Sequence, residues 1–125
     1  MEEKNNKRIL IIDDEQEFVF SLSILLKAKG FNVTAAYDGL FGLSIAHKGD
    51  IDLILLDLSL PAGGGFYVLE HLKKSSNLNH VPVVVVTANQ DKETEEIVMR
   101  MGAVAYLRKP FEPEELLATI NAHLL

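Results

Sequence analysis

Short apolar runs that alternate with amphipathic segments constrain the fold of this chain more than any other feature. Two helical patterns show the alternation well, because apolar side chains recur on one face around residues 18–26 and again around 116–124. Apolar runs short enough for buried strands lie at about residues 8–12, 32–36, 52–56, 82–86 and 104–107. Continuously apolar strands that are separated by helices predict a parallel sheet with helices on both faces. We therefore expect a doubly wound α/β domain with five strands.

Residues that favour helix ends agree with this division. Gly30 is suited to ending the first helix, Asp38 and Asp91 to capping the second and fourth, and Pro113 to the first turn of the last. The third helix is expected at about residues 66–74, after a glycine-rich loop.

Length and composition indicate one domain and exclude several functions. The 125 residues are 48% hydrophobic, which suits a single buried core, and we expect a flexible N-terminal tail at 1–7 followed by the domain at 8–125. A net charge of -6 argues against direct binding to nucleic acid or to anionic membranes. The sequence contains no cysteine and no apolar run near the roughly 18 residues that a membrane span needs. A cytoplasmic location is therefore expected.

Polar residues that suit one reaction follow four of the predicted strands. Asp13 and Asp14 follow the first strand, Asp57 the third and Thr87 the fourth, while the fifth leads into Lys109. Ligands of open parallel sheets bind at this end of the strands. Three converging carboxylates would repel one another unless a cation joined them, and oxygen ligands favour Mg²⁺. Asp57, in the middle of the array, is the candidate nucleophile for an aspartyl phosphate, with Lys109 and Thr87 contacting the phosphoryl oxygens.

Each of these residues also has an ordinary structural interpretation. Asp13 and Asp14 could simply cap the first helix, Thr87 could be a β-branched strand residue, and Lys109 could be a solvated charge. Taken singly, the ordinary interpretation is favoured for each of them. Asp57 resists it, because an unpaired carboxylate at the end of an apolar strand is costly. Together, the residues make coincidence improbable.

An ordered set of short motifs spans essentially the whole chain. The motifs are ILIIDDE at 9–15, DLSLP at 57–61 followed by Gly65, TA at 87–88, GA at 102–103 and YLRKPF at 106–111. Each motif is a weak signal, but the set in this order closely resembles the receiver domain of the two-component response-regulator family. The resemblance implies a flavodoxin-like (βα)5 fold with the strand order 2-1-3-4-5.

The resemblance also implies a role for each site residue. By it, Asp57 is the phosphoacceptor, and Mg²⁺ is bound by Asp13, Asp14 and Asp57 together with the Ser59 backbone carbonyl. Thr87, Lys109 and Tyr106 then form the switch that responds to the phosphoryl group. Ser59 and Asn89 occupy the positions that flank the route of water to that group in the family.

A regulatory role and its partners follow from the same resemblance. The chain would take its phosphoryl group from a sensor histidine kinase or a phosphocarrier, and would catalyse only its own phosphorylation and dephosphorylation. A protein target would bind the face formed by the fourth helix, the fifth strand and the last helix. We expect a single-domain receiver whose output lies in another molecule.

Three other functions are compatible with parts of the pattern. An aspartate-nucleophile hydrolase would share the strand-end acid, but its usual second acid, two residues later, is Ser59 here. A flavodoxin-like electron carrier needs hydroxyls and backbone amides where this chain has Asp13 and Asp14. A phosphate-independent interaction module is disfavoured because all the residues that phosphotransfer would need are present, namely Asp13, Asp14, Asp57, Thr87 and Lys109.

The histidines offer a further possible metal site. The chain has four of them, at His47, His71, His80 and His123. Their spacing predicts no close ligand pair, and their polar settings favour ordinary surface positions.

Overall fold

The computed structural model describes residues 6–61 and 64–124, within which five strands alternate with five helices. The strands are β1 (Arg8–Ile12), β2 (Asn32–Ala36), β3 (Leu53–Leu56), β4 (Val83–Thr87) and β5 (Ala105–Arg108). The helices are α1 (Gln16–Ala28), α2 (Gly39–Lys48), α3 (Gly64–Lys74), α4 (Lys92–Arg100) and α5 (Pro113–Ala122). Every predicted strand is confirmed to within one residue at each end. Residues 1–5 of the predicted tail lie outside the described residues, so its flexibility stays a prediction.

All neighbouring strands of the sheet are parallel, in the order β2-β1-β3-β4-β5. This confirms the predicted flavodoxin-like fold. The order reverses between β1 and β3, whose last residues, Ile12 and Leu56, lie opposite each other. The residues that follow these two strands are therefore neighbours in space, at the point where ligands bind to such sheets.

Each face of the sheet has its own core, because successive side chains of a strand point to opposite faces. On one face, Leu10 and Ile12 of β1 pack in a cluster with residues of α2, α3 and α4. On the other, Ile9 and Ile11 pack in a cluster with residues of α1 and α5. Burial on both faces explains why residues 9–12, 53–56 and 83–86 of the central strands are continuously apolar, whereas the edge strands β2 and β5 are only partly buried.

The predicted helix-end residues are confirmed, but α3 begins two residues before its expected start, so Gly64 and Gly65 of the predicted loop lie in the helix. The Asp38 side chain accepts a hydrogen bond from the Phe41 N–H at 2.8 Å, and the Asp91 side chain accepts one from the Glu93 N–H at 3.0 Å. Gly30, two residues after α1, has φ of 92°, a left-handed conformation that glycine adopts without a steric penalty.

The first turn of α3 packs closely on the chain that leaves β3. A Cβ atom at Gly65 would lie 2.4 Å from the Leu58 Cα and 2.7 Å from the Asp57 carbonyl oxygen. Both of these are backbone atoms, which cannot move without displacing the segment that follows β3. A residue with a side chain therefore does not fit at Gly65.

We predict that Gly65→Ala destabilises the domain by about 1–3 kcal/mol, the usual range for overpacking a close contact. Gly64→Ala is the matched control, because its Cβ would only reach 3.4 Å from the Leu60 Cβ. Alanine is also the better helix former, so the control should be neutral or slightly more stable. Urea denaturation of both variants measures the difference. Equal stability of the two would show that α3 does not pack this closely.

Candidate functional site

Backbone hydrogen bonds hold the predicted site residues at one end of the sheet. The Asp57 N–H donates to the Ile12 carbonyl at 3.0 Å, and the Lys109 N–H donates to the Thr87 carbonyl at 2.8 Å. The Asp13 N–H likewise donates to a carbonyl of β2. These residues thus extend the parallel pairing one step past the strands, and their positions are fixed by the sheet.

Three carboxylates meet where β1 and β3 end. Asp13, Asp14 and Asp57 each offer a carboxylate oxygen, and these oxygens lie within 4.8 Å of one another. Asp13 and Asp57 are buried, at 2% and 3% exposure, whereas Asp14 is exposed. An oxygen-only donor set with one side open to water fits Mg²⁺, which retains several water ligands when it binds to proteins. The residues present are therefore suited to the predicted ion.

Lys109 partly balances the charge of these carboxylates. Its Nζ lies 2.8 Å from Asp13 Oδ2 and 3.6 Å from Asp57 Oδ2, and its side chain is only 12% exposed. The ordinary interpretation of Lys109 as a solvated charge is therefore wrong. The sequence did not predict two further contacts of the Lys109 Nζ. It forms a 2.8 Å ion pair with Glu15 and lies 4.0 Å from the centre of the Phe18 ring. Glu15 directly follows Asp13 and Asp14, but no local sequence pattern indicates that it contacts Lys109, which lies far away in the chain.

Burial and ion pairing shift the pKa values of this group. Burial raises the pKa of the Asp13 carboxyl above its usual value, although Lys109 and the Glu15 N–H act in the opposite direction. Burial alone would lower the pKa of Lys109, but the contacts with Asp13, Glu15 and Asp57 outweigh it and raise the pKa. Since the raised pKa of Asp13 disfavours its ionised form, its contribution to stability is present below pH 3.8 and is lost as pH rises through the folded-state pKa. Burial of Asp13 therefore opposes its ionisation more than the charge of Asp57 does.

A chain of hydrogen bonds leads from Asp57 to the surface. Asp57 Oδ1 accepts from the Ser59 N–H at 2.9 Å, and the Ser59 hydroxyl lies 3.2 Å from the Thr87 hydroxyl. The Asn89 N–H donates to Thr87 Oγ1 at 3.3 Å, and the Tyr106 hydroxyl donates to the Asn89 carbonyl at 2.8 Å. The sequence analysis named all of these residues. It did not predict that Ser59 connects Thr87 to Asp57, or that Asn89 connects it to Tyr106.

Tyr106 lies on the face formed by α4 and β5. Its ring is half-buried against the core cluster beneath α4, with the Arg108 guanidinium 5.8 Å from its centre. Arg108 in turn forms a 3.0 Å ion pair with Glu95 of α4. A movement of the ring would therefore disturb contacts between the strand and the helix.

The ordinary interpretations of the other site residues hold only in part. Asp13 Oδ1 accepts the Glu15 N–H at 2.9 Å, so this acid does assist the entry into α1. Its other oxygen contacts Lys109, and helix capping does not require that contact. Thr87 is fully buried, as expected for a β-branched strand residue, and its hydroxyl also takes part in the hydrogen-bond chain.

One prediction about the histidines is wrong. Nε2 of His47 on α2 lies 2.9 Å from Nε2 of His71 on α3. Sequence spacing could not reveal this pair, because the contact depends on how the two helices pack. His80 is exposed and His123 half-buried, which agrees with surface positions for these two.

Fold and site together define the class of this protein. A five-stranded doubly wound sheet with a lysine-paired acidic cluster at its carboxyl end is the architecture of a small signalling domain. The chain belongs to the response regulator receiver domain family, whose family model matches residues 9–121. It is therefore a regulatory domain of two-component signalling, a class whose members interact with histidine kinases or phosphotransfer proteins.

The curated relatives of this chain include a protein of similar length and proteins about twice as long. It is 37% identical to Protein PilH of Pseudomonas aeruginosa over 118 residues, which cover 94% of this chain and 97% of PilH. It is 36% identical to the DNA-binding response regulator MtrA of Mycobacterium tuberculosis, again over 94% of this chain but only 50% of MtrA. The chain thus spans about half the length of several curated relatives that it matches.

Solved structures show the same fold. A CheY-like receiver domain protein from Methanospirillum hungatei superposes with a TM-score of 0.89 at 31% identity, covering 96% of this chain and 94% of that one. The receiver domain of the sensor histidine kinase PA1611 from Pseudomonas aeruginosa, solved with a magnesium ion in its active-site cleft, superposes with a TM-score of 0.86 at 27% identity, covering 95% and 98%. Within residues 6–61 and 64–124, no helix has the length and apolar character of a membrane span.

We predict that Asp14→Asn raises the stability of the metal-free domain by about 1 kcal/mol, because it removes one of three mutually repelling charges. The same change should weaken Mg²⁺ binding and reduce the rise in melting temperature that Mg²⁺ produces. Glu96→Gln, which removes an exposed charge from α4, controls for the change in net charge. Thermal melts with and without Mg²⁺ measure both effects. A Mg²⁺-induced rise of wild-type size in Asp14→Asn would mean that the acidic pair is not the metal site.

Proposed function

We propose that the chain is a phosphoacceptor switch in which Asp57 takes a phosphoryl group from a phosphohistidine of a sensor histidine kinase or phosphocarrier. The observation that carries this proposal is the position of the Asp57 carboxylate at the carboxyl end of β3. It is buried, 3.6 Å from the Lys109 ammonium, and within 4.8 Å of two other carboxylates. A carboxylate that serves only structure has no need of a second and a third acid beside it, since they raise the electrostatic cost.

Asp13, Asp14 and Asp57 are the residues that would hold Mg²⁺, with the Ser59 backbone carbonyl as a further ligand. Bound there, the ion would offset the carboxylate charge and draw a phosphoryl oxygen towards Asp57. The acidic cluster itself and the magnesium ion of the PA1611 receiver domain support this assignment.

The transfer exchanges one bond to phosphorus for another. An Asp57 carboxylate oxygen forms the new P–O bond while the P–N bond to the donor imidazole breaks, and the departing nitrogen keeps the electron pair of that bond. Lys109 is placed to stabilise the charge on the phosphoryl oxygens, and the Thr87 hydroxyl is placed to donate a hydrogen bond to them. The hydrolysis of the phosphorylated form would use the same groups, with water approaching past Ser59 and Asn89.

We predict that a small acyl-phosphate donor with Mg²⁺ adds one phosphoryl group to the wild-type chain and none to Asp57→Asn. The reason is that the variant keeps the shape of the side chain but lacks the nucleophilic oxygen. Intact-mass measurement detects the group, and Asp52→Asn, which alters an acid at the opposite end of β3, is the matched control. Labelling of Asp57→Asn at the wild-type rate would assign the acceptor to another residue.

The switch acts through the hydrogen-bond chain from Asp57 to Tyr106. A phosphoryl oxygen would compete with Ser59 for the Thr87 hydroxyl, and charge-assisted hydrogen bonds are about twice as strong as neutral ones. A movement of the Thr87 hydroxyl towards the phosphoryl group would draw its oxygen away from the Asn89 N–H, and the loop that carries Asn89 would then release the Tyr106 hydroxyl. The freed ring can turn inward into the space that Thr87 leaves.

The face that reads the switch is formed by α4, β5 and α5, and a protein target would bind there. Tyr106, Arg108 and Glu95 lie on it, and the last two form the ion pair that joins β5 to α4. The charge of -6 gives no support for direct binding to nucleic acid or membranes. MtrA, which is about twice as long as this chain, is a DNA-binding response regulator, and that description applies to the whole of MtrA.

We predict that Thr87→Ala is still phosphorylated, at a reduced rate, but that its Tyr106 ring no longer responds. Thr87→Ser keeps the hydroxyl and is the matched control, so its ring should respond as in the wild type. NMR of the tyrosine side chains, before and after phosphorylation, measures the response. A phosphorylated Thr87→Ala whose Tyr106 signals shift as in the wild type would rule out the route through Thr87. A ring that never responds in the wild type would favour a phosphate-independent module.

A further inference from the structure

The histidine pair between α2 and α3 lies apart from the acidic cluster and has no part in the proposed phosphotransfer. Nε2 of His47 and Nε2 of His71 are 2.9 Å apart, and the two rings are nearly perpendicular, with an interplanar angle of 87°. His47 is exposed and His71 is half-buried. Two imidazole nitrogens therefore converge on one point that water can reach.

The helices hold this pair in place. Leu43 and Ala46 of α2 pack in one core cluster with Val68 and Leu72 of α3. The helices also approach closely, since a Cβ atom at Gly39 would lie 2.8 Å from a methyl group of Val68. Because the backbones on both sides are fixed by the core, the convergence of the nitrogens costs little conformational entropy when a ligand binds.

The separation of the nitrogens fits a shared transition-metal ion. Metal–imidazole bonds are about 2.0–2.1 Å long, so two such ligands at a right angle place their nitrogens about 2.9 Å apart. A tetrahedral angle would require about 3.4 Å for the same bonds. The observed 2.9 Å is the length of the hydrogen bond that joins the rings in the metal-free state, and it also matches the spacing of neighbouring ligands on an octahedral or square-planar ion.

We propose that His47 and His71 form a binding site for a divalent transition-metal ion of the Ni²⁺ or Cu²⁺ type, which joins α2 to α3. The ion takes one nitrogen from each helix, and water completes its coordination on the exposed side. Mg²⁺ does not compete, because it prefers oxygen ligands.

Binding needs no net loss of a proton from the neutral pair. In the metal-free state one histidine donates its Nε2–H to the other, and which of them donates depends on the tautomers. When the ion binds, the donor changes tautomer, so its proton moves from Nε2 to Nδ1 and both Nε2 lone pairs face the ion.

The experiment is a calorimetric titration of the untagged chain with Ni²⁺, in the presence of saturating Mg²⁺ to occupy the acidic cluster. We expect the wild type to bind one ion. His47→Gln and His71→Gln should each bind at least about tenfold more weakly, since even the loss of an outer-shell partner costs about 10–100-fold in metal affinity. His80→Gln and His123→Gln are matched controls and should bind as the wild type does.

A thermal melt of each variant without Ni²⁺ confirms that it is folded, and the same melt with Ni²⁺ gives a second reading. The ion should raise the melting temperature of the wild type and of both controls, but not that of His47→Gln or His71→Gln. A wild type that binds no Ni²⁺ would show that the pair only shares a proton. Binding that is lost in Asp14→Asn or in the control variants, rather than in the pair, would place the ion elsewhere and overturn the proposal. Phosphorylation of Asp57 is independent of every one of these outcomes.

Discussion

Repulsion among carboxylates at the end of the sheet is the constraint on which the rest of the site depends. The register of β1 against β3 forces Asp13 and Asp57 side by side, and both are buried, where like charges are poorly screened. Lys109, brought from the far end of the chain by β5, compensates part of this charge through its contacts with both acids. One cation shared among several acids leaves the group short of positive charge. This shortage of positive charge is the physical basis for proposing that the site binds Mg²⁺ and accepts a phosphoryl group.

In the proposed switch, the hydrogen bonds around Thr87 would transmit a change of charge at the acidic cluster to Tyr106. Ser59, Thr87 and Asn89 connect Asp57 to Tyr106 through a series of hydrogen bonds. Each such bond contributes only about 0.5–1.5 kcal/mol net, so one set can be exchanged for another when a stronger acceptor appears. The neighbouring strands, which are held by the hydrogen bonds of the sheet, do not need to move. In the proposed switch, a change of charge at Asp57 would thereby alter the position of the Tyr106 ring.

Helix α3 connects two features of the molecule that the strands do not. Its first turn lies against the backbone of Asp57 and Leu58, where only Gly65 fits. One face of the same helix packs on α2, and its last turns bring His71 to His47. The segment that leaves β3 at Asp57 and the histidine pair thus contact opposite ends of one helix. Each depends on the close packing of α3, although they are chemically unrelated.

The sequence by itself determined the strands, most of the helix ends and the acidic residues that meet at the end of the sheet, because these depend on periodicity, local hydrogen bonding and position after a strand. Asp38 could be assigned as a cap and Asp57 as the central acid without any knowledge of distant contacts. The tertiary structure decided which side chains meet across long separations in the chain. That Glu15 pairs with Lys109, that the Ser59 hydroxyl reaches Thr87, and that His47 meets His71 all follow from how helices and loops pack, and packing leaves no periodic trace in the sequence.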